Sequence, residues 1–306
     1  MLSLASLEAS DITSIVDKTV EFARGQAEEK HLLKGKTVGI YFRKTSTRTR
    51  TSFTVGAMKL GASVITYGPY DLQTNTGETI QDTGHVLSGY LDALVLRTSE
   101  SIEELEILAG QDDMAIINAM TDKEHPTQAL ADLGTLKAHF GHLEGLHLLY
   151  LGEGNSTAAA LTLAISKLPG MRLTLLTPEG YGVPPDIFAQ ACYFARQYGA
   201  SIEQYHDLTY LPYEVDVVYT TRWQTTGSTK VDLNWRSHFT PFSVTQGLMK
   251  QVSKSAGTIF MHDLPAIRGQ DVTDEVLDGP QSIAFLQAKN KLCGAMAVLT
   301  WCLQNN

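Results

Sequence analysis

Short apolar runs alternate along the chain with stretches of helical period. The first half carries "TVGIYF" (37–42), "ASVITY" (62–67), "DALVLR" (92–97) and "MAIINA" (114–119). The second half carries "LHLLYLG" (146–152), "RLTLLTP" (172–178), "VDVVYTT" (215–221) and "GTIFMHDLP" (257–265). These runs are apolar or β-branched on both faces, the pattern of parallel strands covered by helices on either side. Between most of them lie roughly 10 to 20 residues of helix-like pattern. The alternation predicts an α/β fold made of two doubly wound parallel-sheet domains joined by interdomain helices.

Three helical stretches shape the expected domain plan. Residues 10–23 predict a helix capped near Ser10 or Asp11, with Ile12, Ile15, Val16, Val20 and Ala23 turned inward. "LADLGTLKAHFGHLEG" (130–145) predicts a helix ending in glycine that carries the chain from the first domain to the second. "NKLCGAMAVLTWCLQ" (290–304) follows the second set of strands and is apolar enough to return to the first domain. The expected domains are therefore 1–135 together with 286–306, and 136–285. No internal repeat or low-complexity segment interrupts the pattern.

A length of 306 residues agrees with two cores. Acidic residues outnumber basic ones by 33 to 24, a net charge of −9, which disfavours nucleic acid or an anionic membrane as the main partner. Three cysteines (Cys192, Cys293 and Cys302) show no Cys-x-x-Cys spacing, which points to a reducing compartment and a cytoplasmic protein. No apolar stretch approaches the ~18 residues of a membrane span. Small molecules are left as the expected partners.

Against this acidic background, "RKTSTRTRTSF" (43–53) gathers Arg43, Lys44, Arg48 and Arg50 among hydroxyl side chains, just past a strand. Ligands of parallel sheets collect beyond the carboxyl ends of strands, where helix N-termini point. A helix starting near Thr47 would aim free backbone N–H groups, the Ser46 and Thr47 hydroxyls and the Arg48 fork at one anion, a geometry suited to phosphate. The competing reading is a solvated turn whose arginines pair with nearby acids. A second strand end follows in "DKEHPTQALADL" (122–133), where Pro126 opens a helix and leaves His125 and Gln128 at the edge. Arg97 ends a third strand. Together, Arg48 with Thr49, Arg97, and His125 with Gln128 suit an anion plus a carbonyl oxygen that gains charge in a transition state. No Ser-His-Asp, Cys-His or paired-carboxylate set appears.

"STRTR" (46–50), the strand-end Arg97 and "HPTQALADL" (125–133), in this order and spacing, resemble the aspartate/ornithine carbamoyltransferase family, nearer the ornithine branch overall. "TGETIQDTGHVLS", "LGEGNST", "TPEGY", "HDLP" and "DVTDEVLDGPQS" extend the likeness over almost the whole chain. The resemblance implies transfer of the carbamoyl group of carbamoyl phosphate to an amine, with neither metal nor organic cofactor. It also implies that Ser46, Thr47, Arg48 and Thr49 hold the phosphate, that Thr49, Arg97 and His125 polarise the carbonyl, and that Gln128 holds the carbamoyl NH2. It further implies a homotrimer whose sites borrow a neighbour's loop, here "YDLQTNTGE" (70–78) with Gln73 and Thr76. Asn155 and Ser156 would lie on the acceptor side. Carbamoyl phosphate brings an excellent leaving group, so positioning and charge stabilisation suffice without a covalent nucleophile.

The acceptor pocket departs from both branches of the family. Where ornithine enzymes carry aspartate, then tryptophan, then Ser-Met-Gly, this chain reads "TTRWQTTGS", with Thr221 for the aspartate and Thr225-Thr226 for Ser-Met. Their "HCLP" is "HDLP" here, so Asp263 replaces a cysteine and is followed by Leu264. Lys291 in "QAKNK" replaces an arginine, and Ser156 an asparagine. Arg222 and Gln224 match residues of the aspartate branch, which nevertheless uses a lysine where Thr76 stands and an arginine where Ala266 stands. Arg222 implies a carboxylate on the acceptor. Asp263 beside the reacting centre could bind a cationic acceptor or take its proton. The expected acceptor is a small amino acid with one carboxylate, such as a short diamino acid, in place of ornithine or aspartate.

Other readings of the chain compete. Gly152-x-Gly154 after a strand, with Glu179 further on, suggests a dinucleotide site, but the third glycine position is Thr157. A regulatory protein could keep the phosphate site without turnover. His139, His142 and His147 have no standard metal spacing and read as surface residues.

Overall fold

The computed structural model describes residues 1–26, 31–98, 100–111, 113–225 and 229–304. The chain divides into two units, 1–141 with 289–306, and 142–288.

The first unit contains α1 (Ala9–Ala23), β1 (Thr37–Phe42), α2 (Arg48–Lys59), β2 (Ser63–Tyr67), α3 (Ile80–Ser88), β3 (Ala93–Arg97), α4 (Glu103–Leu108), β4 (Ala115–Met120) and α5 (Pro126–Phe140). Its four strands are parallel in the order β2-β1-β3-β4. The chain steps outward from β1 to β2 and then returns to the other side of β1 with β3. That reversal leaves a crevice beyond the carboxyl ends of β1 and β3, where Phe42 and Arg97 are register partners.

The second unit contains β5 (His147–Leu151), α6 (Ser156–Ser166), β6 (Arg172–Leu176), α7 (Pro185–Tyr198), β7 (Ser201–Tyr205), β8 (Val217–Thr220), α8 (Trp235–Phe239), α9 (Gln246–Val252), β9 (Ile259–His262) and α10 (Asp274–Leu277). Its parallel order β7-β6-β5-β8-β9 reverses between β5 and β8. Leu151 and Thr220 face each other across that point, and the Thr220 hydroxyl donates to the Leu151 carbonyl at 2.8 Å. The last helix, α11 (Ala284–Gln304), runs across the break at 288/289 into the first unit. There Gly294 lies against α5, where a Cβ would stand 2.6 Å from that of Ala131. Only a hydrogen fits.

Several sequence expectations need correction. β7 was not foreseen, because "SIEQY" alternates polar and apolar residues as a one-sided edge strand does. "ASVITY" was expected to be covered on both faces, yet β2 is also an edge strand and Ile65 is exposed. α1 is capped by Glu8, whose backbone N–H bonds the Asp11 carboxylate at 3.0 Å. On its inner face Thr19 and Phe22 are buried and Ala23 is exposed. His147, read as a surface residue, is buried at the start of β5, with Nε2 2.9 Å from the Thr174 hydroxyl. Burial pushes its imidazole down to about 4, with Arg172 adding to the effect, so it is neutral at pH 7.

Candidate functional site

In the first unit, β1 delivers the cationic segment 43–50, and its charges part ways. Arg43 turns aside to Glu104, Glu100 and the Tyr41 hydroxyl, and Lys44 lies 3.9 Å from Glu100. For those two side chains the solvated-turn reading holds. Arg48 is the first residue of α2, half-buried, with Thr47 at the N-cap and Thr49 buried behind it. α2 has no acid in its first turn, and neither has α5. A cation at a helix N-terminus opposes the backbone dipole. Both helices therefore add positive potential at this sheet edge, a field suited to a polyanion.

Arg97, at the end of β3, reaches the Ser46 hydroxyl at 3.5 Å, the long limit of a hydrogen bond. His125 is the N-cap residue of α5, and Pro126 occupies the first helical position. Its ring is buried with Nδ1 3.4 Å from the Thr127 hydroxyl, and Nε2 has no hydrogen-bond partner among the described residues. Burial holds this imidazole well below its usual range, and the Lys291 and Arg97 cations push the same way. It is therefore neutral at pH 7 and can offer an N–H without carrying charge.

Gln128, one turn along α5, accepts from the Lys291 ammonium through Oε1 and donates through Nε2 to Asp132 at 2.9 Å. Lysine can only donate and a carboxylate only accept, so this pair fixes the orientation of the amide. One Oε1 lone pair is left for a further donor such as a carbamoyl NH2. Ser46, Arg97, His125, Gln128 and Lys291 thus share one neighbourhood at the crevice of the first sheet. Gln73 and Thr76 pair with each other instead, the Thr76 hydroxyl donating to Gln73 Oε1 at 2.7 Å on an exposed turn. Asp132, which anchors Gln128, was missed as a functional residue. Its only sequence signal was the i, i+4 spacing.

In the second unit, the turn from β5 to α6 holds Asn155 as a true N-cap, its Oδ1 accepting from Thr157 N at 3.0 Å and Ala158 N at 3.2 Å. Those amides are the ones a dinucleotide pyrophosphate would need. The two glycines also have internal reasons. Gly152 has φ +120°, and a Cβ at Gly154 would stand 2.1 Å from the Gly182 carbonyl carbon. The glycine pair is explained by backbone packing without a cofactor.

Asn155 Nδ2 donates to the Thr221 hydroxyl at 3.2 Å, and that hydroxyl donates to Asp263 at 3.0 Å. Thr157 donates to the other carboxylate oxygen at 2.9 Å. Asp263 follows β9 directly, and the turn after it is pinned by His262. The His262 Nδ1 accepts from Leu264 N at 2.8 Å, and its Nε2 meets the buried Asp271 at 2.7 Å. The same Nδ1 lies 3.5 Å from Asp263. Leu264 has φ +51°, a strained value for a branched residue that this hydrogen bond helps to hold.

Ser156 is buried at the start of α6. Arg222 is half-buried, and its Nε has no hydrogen-bond partner among the described residues. Gln224 and Thr225 are also half-buried, and Thr226 lies outside the described residues. The carboxylate expected to be missing at Thr221 is in fact next to it, carried by Asp263 on the neighbouring strand end. Thr157, the other residue holding that carboxylate, was missed.

Residues 1–138 match the family described as "Aspartate/ornithine carbamoyltransferase, carbamoyl-P binding domain", and residues 144–302 match "Aspartate/ornithine carbamoyltransferase, Asp/Orn binding domain". The chain is 40% identical over 299 residues to the ornithine carbamoyltransferase of Methanobrevibacter smithii, covering 98% of this chain and 97% of that one. It is 41% identical over 305 residues to the ornithine carbamoyltransferase of Anoxybacillus flavithermus, covering 97% and 94%. Among solved structures, the ornithine carbamoyltransferase of Pyrococcus furiosus superposes with a TM-score of 0.92 at 36% identity, covering 100% of this chain and 97% of that chain.

Proposed function

The chain belongs to the aspartate/ornithine carbamoyltransferase family and moves the carbamoyl group of carbamoyl phosphate to an amino acid, and from that premise we propose how its residues divide the work. Ser46, Thr47, Arg48, Thr49 and the N-terminus of α2 take the phosphate. Arg97, Thr49 and the neutral His125 point donors at the carbonyl oxygen. Gln128, oriented by Lys291 and Asp132, accepts from the carbamoyl NH2. The acceptor's neutral amine attacks the carbonyl carbon, the carbon–oxygen bond to phosphate breaks, and the departing phosphate can carry off the amine proton. Charge gathers on the carbonyl oxygen during attack, so donors fixed beforehand favour the transition state over the substrate.

For the acceptor we infer a diamino acid. The observation that carries this reading is Asp263, bound by Thr157 and Thr221 at the crevice of the second sheet, with Arg222 one residue beyond Thr221. A carboxylate suits the acceptor's spare ammonium, and Arg222 its carboxylate. A shorter diamino acid than ornithine fits best, because the carboxylate has moved from one strand end to the next. Ornithine is the second reading, favoured by the named relatives and by the retention of a carboxylate in this cluster. Aspartate is disfavoured, since its second carboxylate would meet Asp263.

The deciding experiment offers purified protein carbamoyl phosphate with a panel of diamino acids, ornithine and aspartate, and reads ureido products by mass spectrometry. The highest kcat/KM is expected with a diamino acid shorter than ornithine. A value above ~10⁴ M⁻¹s⁻¹ with ornithine, the lower end of ordinary enzymes, establishes the second reading, and the same value with aspartate overturns both.

Two further features belong to the proposal. A homotrimer with shared sites is supported by the family resemblance and by the exposed turn carrying Gln73 and Thr76. A cytoplasmic location is supported by the free cysteines.

A further inference from the structure

Lys230 follows the acceptor loop 221–225 by five positions, yet its side chain is only 7% exposed. Its ammonium pairs with the Glu153 carboxylate and lies 4.8 Å from the Tyr181 ring centre, 5.0 Å from Phe239 and 5.3 Å from Trp235. The rings brace one another, Tyr181 edge-on to Phe239 at 4.8 Å and Trp235 edge-on to Phe239 at 5.6 Å. A carboxylate on one side and aromatic rings on the others make a cage shaped for an alkylammonium ion. An exposed ion pair would contribute almost nothing, but this one is desolvated and enclosed.

The cage is tied to the acceptor loop at three points. Trp223, from the middle of the loop, packs into its wall 5.6 Å from Phe239. Glu153 also takes hydrogen bonds from the Thr225 backbone and side chain, so one carboxylate gathers both sides of the loop. Two residues after Glu153, Asn155 reaches Thr221. Burial pushes the Glu153 carboxyl up, and the Lys230 ammonium is the main influence opposing it. Each charge needs the other to stay buried.

We propose that Lys230, caged by Tyr181, Phe239 and Trp235 and paired with Glu153, is a positioning residue that holds loop 221–225 in its acceptor-reading arrangement. The inference rests on the reading that this loop meets the acceptor, and the test separates the two. In Lys230→Ala the acceptor KM should rise about 30-fold, the loss of the enclosed cation from its cage of rings. The KM for carbamoyl phosphate should change less than about twofold, because the first unit holds that substrate. Millimolar n-propylammonium, which replaces the deleted atoms, should restore the acceptor KM, whereas n-propanol should not.

Tyr181→Leu removes one cage wall at a half-buried position and serves if Lys230→Ala does not fold. It should raise the acceptor KM several-fold without rescue by the amine. Arg222→Ala is the control for the underlying reading: an unchanged acceptor KM in that variant defeats the loop assignment itself. If Arg222→Ala raises the KM but Lys230→Ala does not, or its loss ignores propylammonium, the positioning role is wrong and the loop assignment stands. An unchanged acceptor KM in Tyr181→Leu likewise overturns the role.

Discussion

Arg48 opens the first turn of α2, where the helix dipole disfavours a cation and where α1 and α3 carry an acid instead, Asp11 and Asp82. A residue kept against local preference marks a site where function outweighs stability. Replacing it by alanine should therefore cut turnover sharply without unfolding the protein. Loss of a charge-assisted donor from a prearranged site costs on the order of 3 kcal/mol in transition-state binding, about 100-fold in kcat/KM. The melting temperature should stay level or rise slightly, because the dipole conflict is relieved. Steady-state kinetics and a thermal melt check both halves, and wild-type kcat/KM would remove Arg48 from the phosphate site. Composition could not reveal which cations of 43–50 face the ligand, since Arg43 and Arg48 differ only in what folds beside them. The partners of Arg43, Glu100 and Glu104, are 57 and 61 residues away.

At the level of elements, the turn joining β5 to α6 carries most of the candidate acceptor side. Gly154 allows the backbone at 182–183 to approach, and its own N–H donates to the Tyr181 carbonyl at 2.7 Å. Gly154→Ala would set a methyl against backbone that cannot yield, for a loss of about 3 kcal/mol or more, or roughly 6 to 12 °C in Tm. Gly247→Ala, in α9 with nothing nearer than 3.6 Å to the added carbon, should be neutral or stabilise by up to about 1 kcal/mol. Differential scanning calorimetry of the two variants makes the comparison, and equal melting temperatures would refute the packing account of Gly154. Most of the eight apolar runs were legible because two-sided burial leaves an unbroken apolar signature, as in β4 and β5, whereas the edge strand β2 was legible from its β-branched residues alone. β7 was not, because an edge strand covered on one face looks like polar surface.

For the whole molecule, shared sites make a test that no single variant provides. Arg48→Ala protein and protein altered at both Gln73 and Thr76 should each be inactive, and subunits exchanged between them should regain activity. Random mixing of equal amounts in a trimer leaves about a quarter of the sites intact, measurable in the standard assay, and no recovery after verified exchange would argue for self-contained sites. The sequence alone determined the α/β class, because strand and helix periods are local properties of the chain. It also determined that Arg97 ends a strand and that Arg48 and His125 lie at helix starts just past two others, because a strand's last residue is set by where its apolar run stops. Tertiary structure decided which groups meet there. Thr221 and Asp263 are 42 residues apart, Gln128 and Lys291 163, and Glu153 and Lys230 77. Such pairings follow from strand order and helix return, and no spacing along the chain encodes them. For the same reason, the sequence could put Asp263 beside the reacting centre but could not show its carboxylate standing against Thr221, where the acid is missing.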